Sequence, residues 1–216
     1  MLLLLGAGWF LWAGPVLAVG TVRVDGAAAL SVDEVRTAAG IDVGTPLLRV
    51  DVEDVEARVA RLPQIASVEV TRGWPHSVVV TVAERIPLAV VGRAGQRTLV
   101  DRDGVLFDII TGAAPPGVVP LDVAKPGPGD PATMAALEAL VALPAAVRND
   151  VAGATGAGPE DIGLTLRDGT VVHWGSPDES AKKAAVLTAL LDRVADGDLE
   201  PAATVDLSTP DAVVLR

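Results

Sequence analysis

The side chains able to do chemistry in this 216-residue chain are few. There is no cysteine, so a thiolate nucleophile, a disulfide and a thiolate-ligated metal are all excluded. The only histidines are His76 and His173. A zinc site needs three or four ligands, usually with a close pair such as His-x3-His. No such pair exists, so His76 is expected in a turn and His173 on a strand beside Trp174. Asp101-x-Asp103-Gly104 begins like a calcium loop, but its twelfth position, which should be Glu, is Gly112; a turn is expected there. The Ala/Gly run Gly153–Gly158 fits neither GxGxxG nor GxxxxGK[ST] and joins no strand to a helix, so it is expected to be a loop rather than a phosphate cradle. Ser77 adjoins His76, but neighbours on a strand point to opposite faces and make a poor nucleophile–base pair. The pairs Asp33/Glu34 and Asp178/Glu179 fall in the first turns of expected helices, where they complement the dipole. Facing carboxylates for glycoside hydrolysis would have to be assembled by the fold, and no motif announces them. No catalytic residue, cofactor-binding residue or metal ligand is therefore expected.

What remains is the chemistry of the backbone. Two short strands are expected at the end of the chain, Thr204–Leu207 and Ala212–Leu215. If they form a sheet edge, their unpaired N–H and C=O groups can take up a partner strand, with alternate side chains giving specificity. The candidate partner-binding residues are Val205, Asp206, Leu207, Ala212, Val213, Val214 and Leu215. The alternative is a strand enclosed within its own sheet.

Composition supports binding to protein over nucleic acid. Seventeen basic against 28 acidic residues give a net charge of −11, the wrong sign for displacing phosphate counterions. Half the residues are hydrophobic but only 3% are aromatic, so the core must be built from Val, Leu, Ile and Ala. A mean hydropathy of +0.44 excludes a disordered chain. The length fits one or two domains.

Charge is absent from residue 1 to residue 22 and first appears at Arg23. Residues 1–19, MLLLLGAGWFLWAGPVLAV, would span about 28 Å as a helix, close to the bilayer's hydrocarbon core. A single transmembrane helix over 1–19 is the leading expectation. A cleaved signal peptide ending near Val16-Leu17-Ala18 and a buried soluble helix are the alternatives. Charge does not orient the span, because no basic residue precedes it and a long domain follows.

The elements that follow read β-α-α-β-β. Val22 and Val24 alternate in a short strand. Ser31-Val32-Asp33-Glu34 is a capping box opening a helix to Ala39, with Gly40 as its left-handed stop. Asp51 caps a second helix with Val52, Val55, Val59 and Leu62 on one face, and Pro63 ends it. Strands from Ile65 to Arg72 and Ser77 to Glu84 flank the turn Gly73-Trp74-Pro75-His76. A three-stranded sheet with both helices on one face packs every apolar side. Beyond it, Leu88–Val91 and Thr98–Val100 form a hairpin, and Val100–Phe107 holds two strands around a tight turn. The Pro/Gly-rich stretch 112–131 is a surface connection. Asp130 and Pro131 open a helix near Thr133–Leu143 with Met134, Leu137 and Val141 on one side. Ile162, Leu164 and Leu166 alternate, and Thr170–Trp174 returns. A second capping box at Ser176-Pro177-Asp178-Glu179 starts the last helix, with Val186, Leu187, Leu190, Leu191 and Val194 buried.

Four strings in order carry a resemblance: Val22-Arg23-Val24-Asp25-Gly26, Leu62-Pro63-Gln64-Ile65, Val70-Thr71-Arg72-Gly73-Trp74-Pro75, and Val82-Ala83-Glu84-Arg85-Ile86-Pro87-Leu88-Ala89. With the β-α-α-β-β order they resemble the FtsQ/DivIB family of bacterial cell-division proteins. Val100–Phe107, Val171–Gly175, the Lys182/Lys183 helix and Val205-Asp206-Leu207 resemble that family's second domain. The chain departs from the family pattern at its start, where a basic cytoplasmic tail is usual, and at Ser208 and Thr209, where relatives often carry Arg and a bulky residue.

The resemblance implies an α+β fold: a transmembrane helix at 1–19, a POTRA domain at 20–86, and a mixed α/β "β domain" at 87–216. It implies a non-enzymatic bitopic scaffold of the divisome in the cytoplasmic membrane, its bulk extracytoplasmic, at the septum. The implied partners are FtsB/DivIC-type and FtsL-type coiled-coil proteins and septal peptidoglycan synthesis proteins of FtsW/FtsI type. It favours an edge at 205–215, and it implies no cofactor and no nucleic acid. The alternatives are a POTRA-containing transport or secretion module, which should carry a barrel or further repeats, and an envelope hydrolase.

The capping box makes a direct prediction. Ser31→Ala is expected to cost about 0.5–2 kcal/mol, read as a lower melting midpoint. An unchanged midpoint would mean that the helix starts elsewhere.

Overall fold

The computed structural model describes residues 17–93 and 95–216. The chain divides into two compact units, Met1–Arg85 and Ile86–Arg216. Most of the expected transmembrane helix, residues 1–16, lies outside the described residues. Ala18 and Val19, placed at its end by the sequence pattern, are not helical. Ala18 bridges Pro46, and the Val19 N–H donates to the Thr45 carbonyl at 2.8 Å with its side chain in the first unit's core. Among the described residues, no helix is long and apolar enough to cross a membrane.

The first unit follows the expected order: β1 (Thr21–Asp25), α1 (Val32–Ala39), a 3-10 turn at Leu47–Arg49, α2 (Val52–Val59), β2 (Ile65–Gly73) and β3 (Ser77–Glu84). The sheet order is β1-β3-β2, with β1 parallel and β2 antiparallel to the central β3. Val78, Val80 and Val82 of β3 alternate into a core shared with Val35 and Ala39 of α1 and Val55 and Val59 of α2. The Ser31 hydroxyl accepts the Glu34 N–H at 3.1 Å, and the Glu34 carboxylate returns to the Ser31 N–H at 3.0 Å. Gly40 takes φ 57°, the left-handed stop expected of it, and the Asp51 carboxylate accepts the Asp54 N–H.

Two long-range contacts close this unit. Arg72 donates from Nε to the Leu47 carbonyl and from Nη2 to the Val50 carbonyl, tying the 3-10 turn to the sheet. The Glu84 carboxylate accepts the backbone N–H groups of Ala28, Ala29 and Leu30 at 2.8–3.0 Å. Partial burial raises its pKa, but those donors outweigh it and hold the carboxyl below its ordinary value.

The second unit contains β4 (Pro87–Arg93), β5 (Gln96–Asp101), β6 (Leu106–Ile110), β7 (Val119–Val123), α3 (Pro131–Ala142), α4 (Ala145–Asp150), β8 (Val151–Gly158), β9 (Asp161–Leu166), β10 (Val171–Gly175), α5 (Ser180–Ala195), β11 (Thr204–Asp206) and β12 (Val214–Leu215). They form one nine-stranded sheet in the order β12-β11-β10-β9-β8-β7-β4-β5-β6. Alternation sends Leu121, Ala154, Ile162, Leu164, Leu166, Val172, Trp174, Val205 and Leu207 to the face covered by the helices.

Several local expectations give way to packing. The run Gly153–Gly158, expected as a loop, is part of strand β8, because small residues let α3 lie close. A Cβ at Gly156 would stand 3.2 Å from the Ala132 carbonyl oxygen and 3.1 Å from Val123. The same proximity selects the Ala-rich side of α3. Ala132, Ala135, Ala136, Leu137, Ala139 and Leu140 are buried, whereas Val141, expected on the inner face, is exposed. The connection 112–131 contains β7, which earns its place by parallel pairing with β4 and β8. The last helix starts at Ser180 rather than at Ser176; the Ser176 hydroxyl bonds Asp178 instead, and Glu179 holds φ 54°. Pro144 ends α3 as expected, and a short α4 follows at once.

Replacing Glu84 by Ala hands the exposed Ala28 and Ala29 N–H groups to water and leaves the half-buried Leu30 N–H without its acceptor, at an expected cost of about 0.5–1.5 kcal/mol at neutral pH. A depressed folded-state pKa stabilises fully above the unfolded value and is lost as pH falls through the lower, folded value. The gap between wild type and Glu84→Ala in urea unfolding should therefore shrink below about pH 4. A gap that stays constant down to pH 2 would refute this role for Glu84.

Candidate functional site

The C-terminal edge of the large sheet is assembled from β10, α5, β11 and β12. β11 runs parallel to β10, through the α5 crossover, and antiparallel to β12. Thr204 and Arg216 exchange both backbone bonds, at 2.8 and 3.0 Å. In an antiparallel pair such bonded positions alternate with non-bonded ones. Val205 opposite Leu215 is thus a non-bonded pair, and Asp206 opposite Val214 is the next bonded one. Val214 and Arg216 therefore turn their backbone groups toward β11, while Leu215 turns its own away from the sheet; the same alternation carried one residue back, to the start of β12, gives Val213 the outward side. Because β12 is the last strand in the order, no strand among the described residues pairs with that outer side.

The seven candidate residues separate into two groups. Val205 and Leu207 are buried in the core and Asp206 is half-buried. Their strand has a neighbour on both sides, so their backbone is already used. Ala212, Val214 and Leu215 are exposed, and Val213 packs partly against the core. The strand expected over Ala212–Leu215 is shorter than that: only Val214 and Leu215 form β12 on the open edge, Val213 leads into it, and Ala212 belongs to the turn, its N–H donating to the Thr209 carbonyl at 3.0 Å. One side of the edge carries an apolar groove lined by Leu187, Leu190, Leu191 and Val194 of α5 with Leu199 and Leu215. The other side carries a shallow polar cleft of about 340 Å³, which includes His173, Asp206, Ser208 and Arg216.

Three polar contacts hold the edge in place. The Asp206 carboxylate accepts the Ser208 N–H at 3.0 Å and its hydroxyl at 2.7 Å, which starts the turn into β12. These bonds hold the Asp206 carboxyl below its ordinary pKa, with His173 and Arg216 adding favourable charge. At the far side of the turn, Lys182 donates to Asp211 at 2.6 Å and lies 3.6 Å from Glu179. The hydrogen bond to Asp211 raises the Lys182 pKa.

Beneath the edge lies Lys183, 1% exposed, whose ammonium donates to the Trp174 carbonyl at 2.9 Å and the Ser176 carbonyl at 2.8 Å. Burial pushes its pKa down, against the pull of Asp178 and Glu179. Trp174, fully buried, donates Nε1–H to the Ser180 hydroxyl, which in turn donates to the Pro177 carbonyl. Sequence reasoning missed Lys183 and Ser180. A lysine one turn into an amphipathic helix reads as solvated, and only the tryptophan nearby hinted otherwise.

The two histidines stand where the pattern put them, His76 in the β2–β3 turn and His173 on β10 with an exposed side chain. Asp101 and Asp103 form a turn, in which the Asp101 carboxylate accepts the N–H groups of Asp103 and Val105. Among the described residues, no three His, Asp or Glu side chains are gathered as metal ligands. The geometry at the C-terminal edge suits the addition of a strand.

Comparison with known proteins gives two family matches: "POTRA domain, FtsQ-type" over residues 17–85 and "Cell division protein FtsQ/DivIB, C-terminal" over residues 89–208. Among curated relatives, the chain is similar to the cell division protein FtsQ of Mycolicibacterium smegmatis, at 40% identity over 97% of this chain and 60% of the relative. It is also similar to FtsQ of Mycobacterium tuberculosis H37Rv, at 38% over 98% of this chain and 65% of the relative. A third is FtsQ of Streptomyces bingchenggensis, at 42% over 97% and 80%. The chain thus spans less than two thirds of the length of these two mycobacterial relatives.

The buried amine supplies a test of how the edge is built. Lys183→Met keeps the bulk but leaves the Trp174 and Ser176 carbonyls without their donor, at an expected cost of about 1–3 kcal/mol. Urea unfolding measures the loss. A variant as stable as the parent would show that the ammonium does not hold this corner.

Proposed function

Since the chain belongs to the FtsQ/DivIB family of cell division proteins, we propose that it is a non-enzymatic, single-pass scaffold of the divisome. In this reading the apolar start anchors it in the cytoplasmic membrane, and both units work on the outer side, at the septum. The partners are the FtsB/DivIC-type and FtsL-type coiled-coil proteins, through which it is linked to septal peptidoglycan synthases of FtsW/FtsI type.

The observation that carries the reading is the open edge of β12. A strand laid along it finds the outward N–H and C=O groups of Val213 and Leu215. Its alternate side chains would fall to the apolar groove of α5 on one side and the polar cleft on the other, the logic of strand addition. Ala212 and Val214 flank the added strand. Val205, Asp206 and Leu207 support the edge from within. Membrane attachment keeps the partners at high local concentration, so one short strand suffices for a stable assembly.

Proline at position 213 removes the outward donor. With the full chain and its FtsB/DivIC-type partner co-expressed and captured from membranes, Val213→Pro should weaken binding about tenfold, the equivalent of one backbone hydrogen bond. Val213→Ala, which keeps the N–H, should bind like the parent. Equal affinity for the proline variant, with its melting midpoint intact, would sink strand addition at this edge.

A further inference from the structure

Four large apolar side chains are exposed among the first unit's described residues: Val32 at 37%, Val43 at 74%, Leu48 at 44% and Trp74 at 56%. Scattered singly, such residues need no explanation. Three of these four are not scattered. Val43 lies in the turn 41–46, Leu48 follows it in the 3-10 turn, and Trp74 tips the β2–β3 turn.

Both turns are bonded to the same short piece of chain. The Val19 N–H donates to the Thr45 carbonyl and the Gly44 N–H to the Val19 carbonyl, each at 2.8 Å. The N–H groups of Gly20 and Thr21 donate to the His76 carbonyl at 2.7 and 3.2 Å, and the His76 ring lies 3.3 Å from the Ala18 carbonyl. Val43, Leu48 and Trp74 therefore sit at the pole where residues 17–20 enter the unit. Val32 lies at the opposite pole, beside the Glu84 cluster.

What precedes residue 17 is a run of sixteen residues without a charge. Three residues of extended chain reach about 10 Å. The headgroup layer on each side of a bilayer is about 5–8 Å thick. If the apolar run is in the bilayer, as the proposed function holds, the two turns stand at most about 2–5 Å clear of the headgroup surface even with the link fully extended, within reach of an exposed side chain. Their composition suits that place. Across residues 41–46 and 73–76 the one charged residue is Asp42, and tryptophan favours the boundary between hydrocarbon and water.

We infer that this pole of the first unit is a lipid-docking surface, with Trp74, Val43 and Leu48 dipping into the headgroup layer. The contact fixes the unit's tilt on the membrane instead of leaving it to swing on a linker. A tethered surface needs little affinity of its own, because the anchor supplies the local concentration.

The absence of cysteine allows single-site labelling of the full chain. Nitroxide is attached at Val43→Cys, at Arg61→Cys on the opposite pole, and at Leu11→Cys within the apolar run. Each is reconstituted in phosphatidylcholine/phosphatidylglycerol vesicles. Collision with oxygen, which concentrates in lipid, is compared with collision with a water-soluble nickel chelate. The expected result is oxygen-dominated relaxation at 43 and 11 and nickel-dominated relaxation at 61, with the label at 43 shifting toward nickel when Trp74→Ser is added. Nickel-dominated relaxation at 43 with oxygen dominance at 11 overturns the docking surface and leaves the anchor intact. A label at 43 shielded from both colliders marks a protein contact and also overturns it. Nickel dominance at 11 overturns anchor and docking surface together.

Discussion

An antiparallel strand directs its hydrogen bonds alternately to left and right, and in β12 that alternation decides which backbone groups stay open. The mutual pair between Thr204 and Arg216 commits every second residue of β12 to its own sheet. Leu215 is left facing out, and the alternation gives Val213 the same side. A shift of one residue would turn those groups inward and exchange the side chains between the groove and the polar cleft. The register is therefore the constraint on which the edge depends, and the surrounding contacts serve to hold it.

Those contacts come from both sides of the hairpin. Asp206 and Ser208 set the angle at which the chain leaves β11, and Lys182 fastens the turn through Asp211. The Lys182 pair is solvent-exposed and contributes orientation more than stability. Deeper down, Lys183 ties the end of β10 to α5 while Trp174 fills the space between them. A buried ammonium is expensive to desolvate and tolerable only when its donors are used. Two carbonyls here use two of the three. The result is a tied corner where β10 meets α5, the helix that leads into β11.

Much of this was legible in the residues. Ser31, Gly40, Asp51 and Asp130 act through neighbours three or four positions away, and each caps or stops a helix where the pattern puts it. The β-α-α-β-β order of the first unit follows from alternation and helical spacing in the same way. The failures share one cause. Gly153–Gly158 reads as a loop because small residues favour loops in isolation, yet here they admit the alanine face of α3. β7 hides among prolines because its pairing partners, β4 and β8, lie on either side of long connections. Ser176 has the spacing of a cap, but the buried Trp174–Ser180–Lys183 network claims the loop and moves the helix start to Ser180.

Residue types and their spacing were enough for the absence of thiol chemistry, the acidic balance unsuited to nucleic acid, the capped helices of the first unit, the family, and the choice of the C-terminal strands as the place to look. Each rests on composition or on interactions of short range along the chain. It took the fold to show which of the seven C-terminal residues reach the open edge and which lie in the core, that Lys183 is buried at the end of β10, and that the turns carrying Val43 and Trp74 share one pole. Those facts depend on register and on contacts between segments far apart in sequence, where long-range packing outweighs local preference.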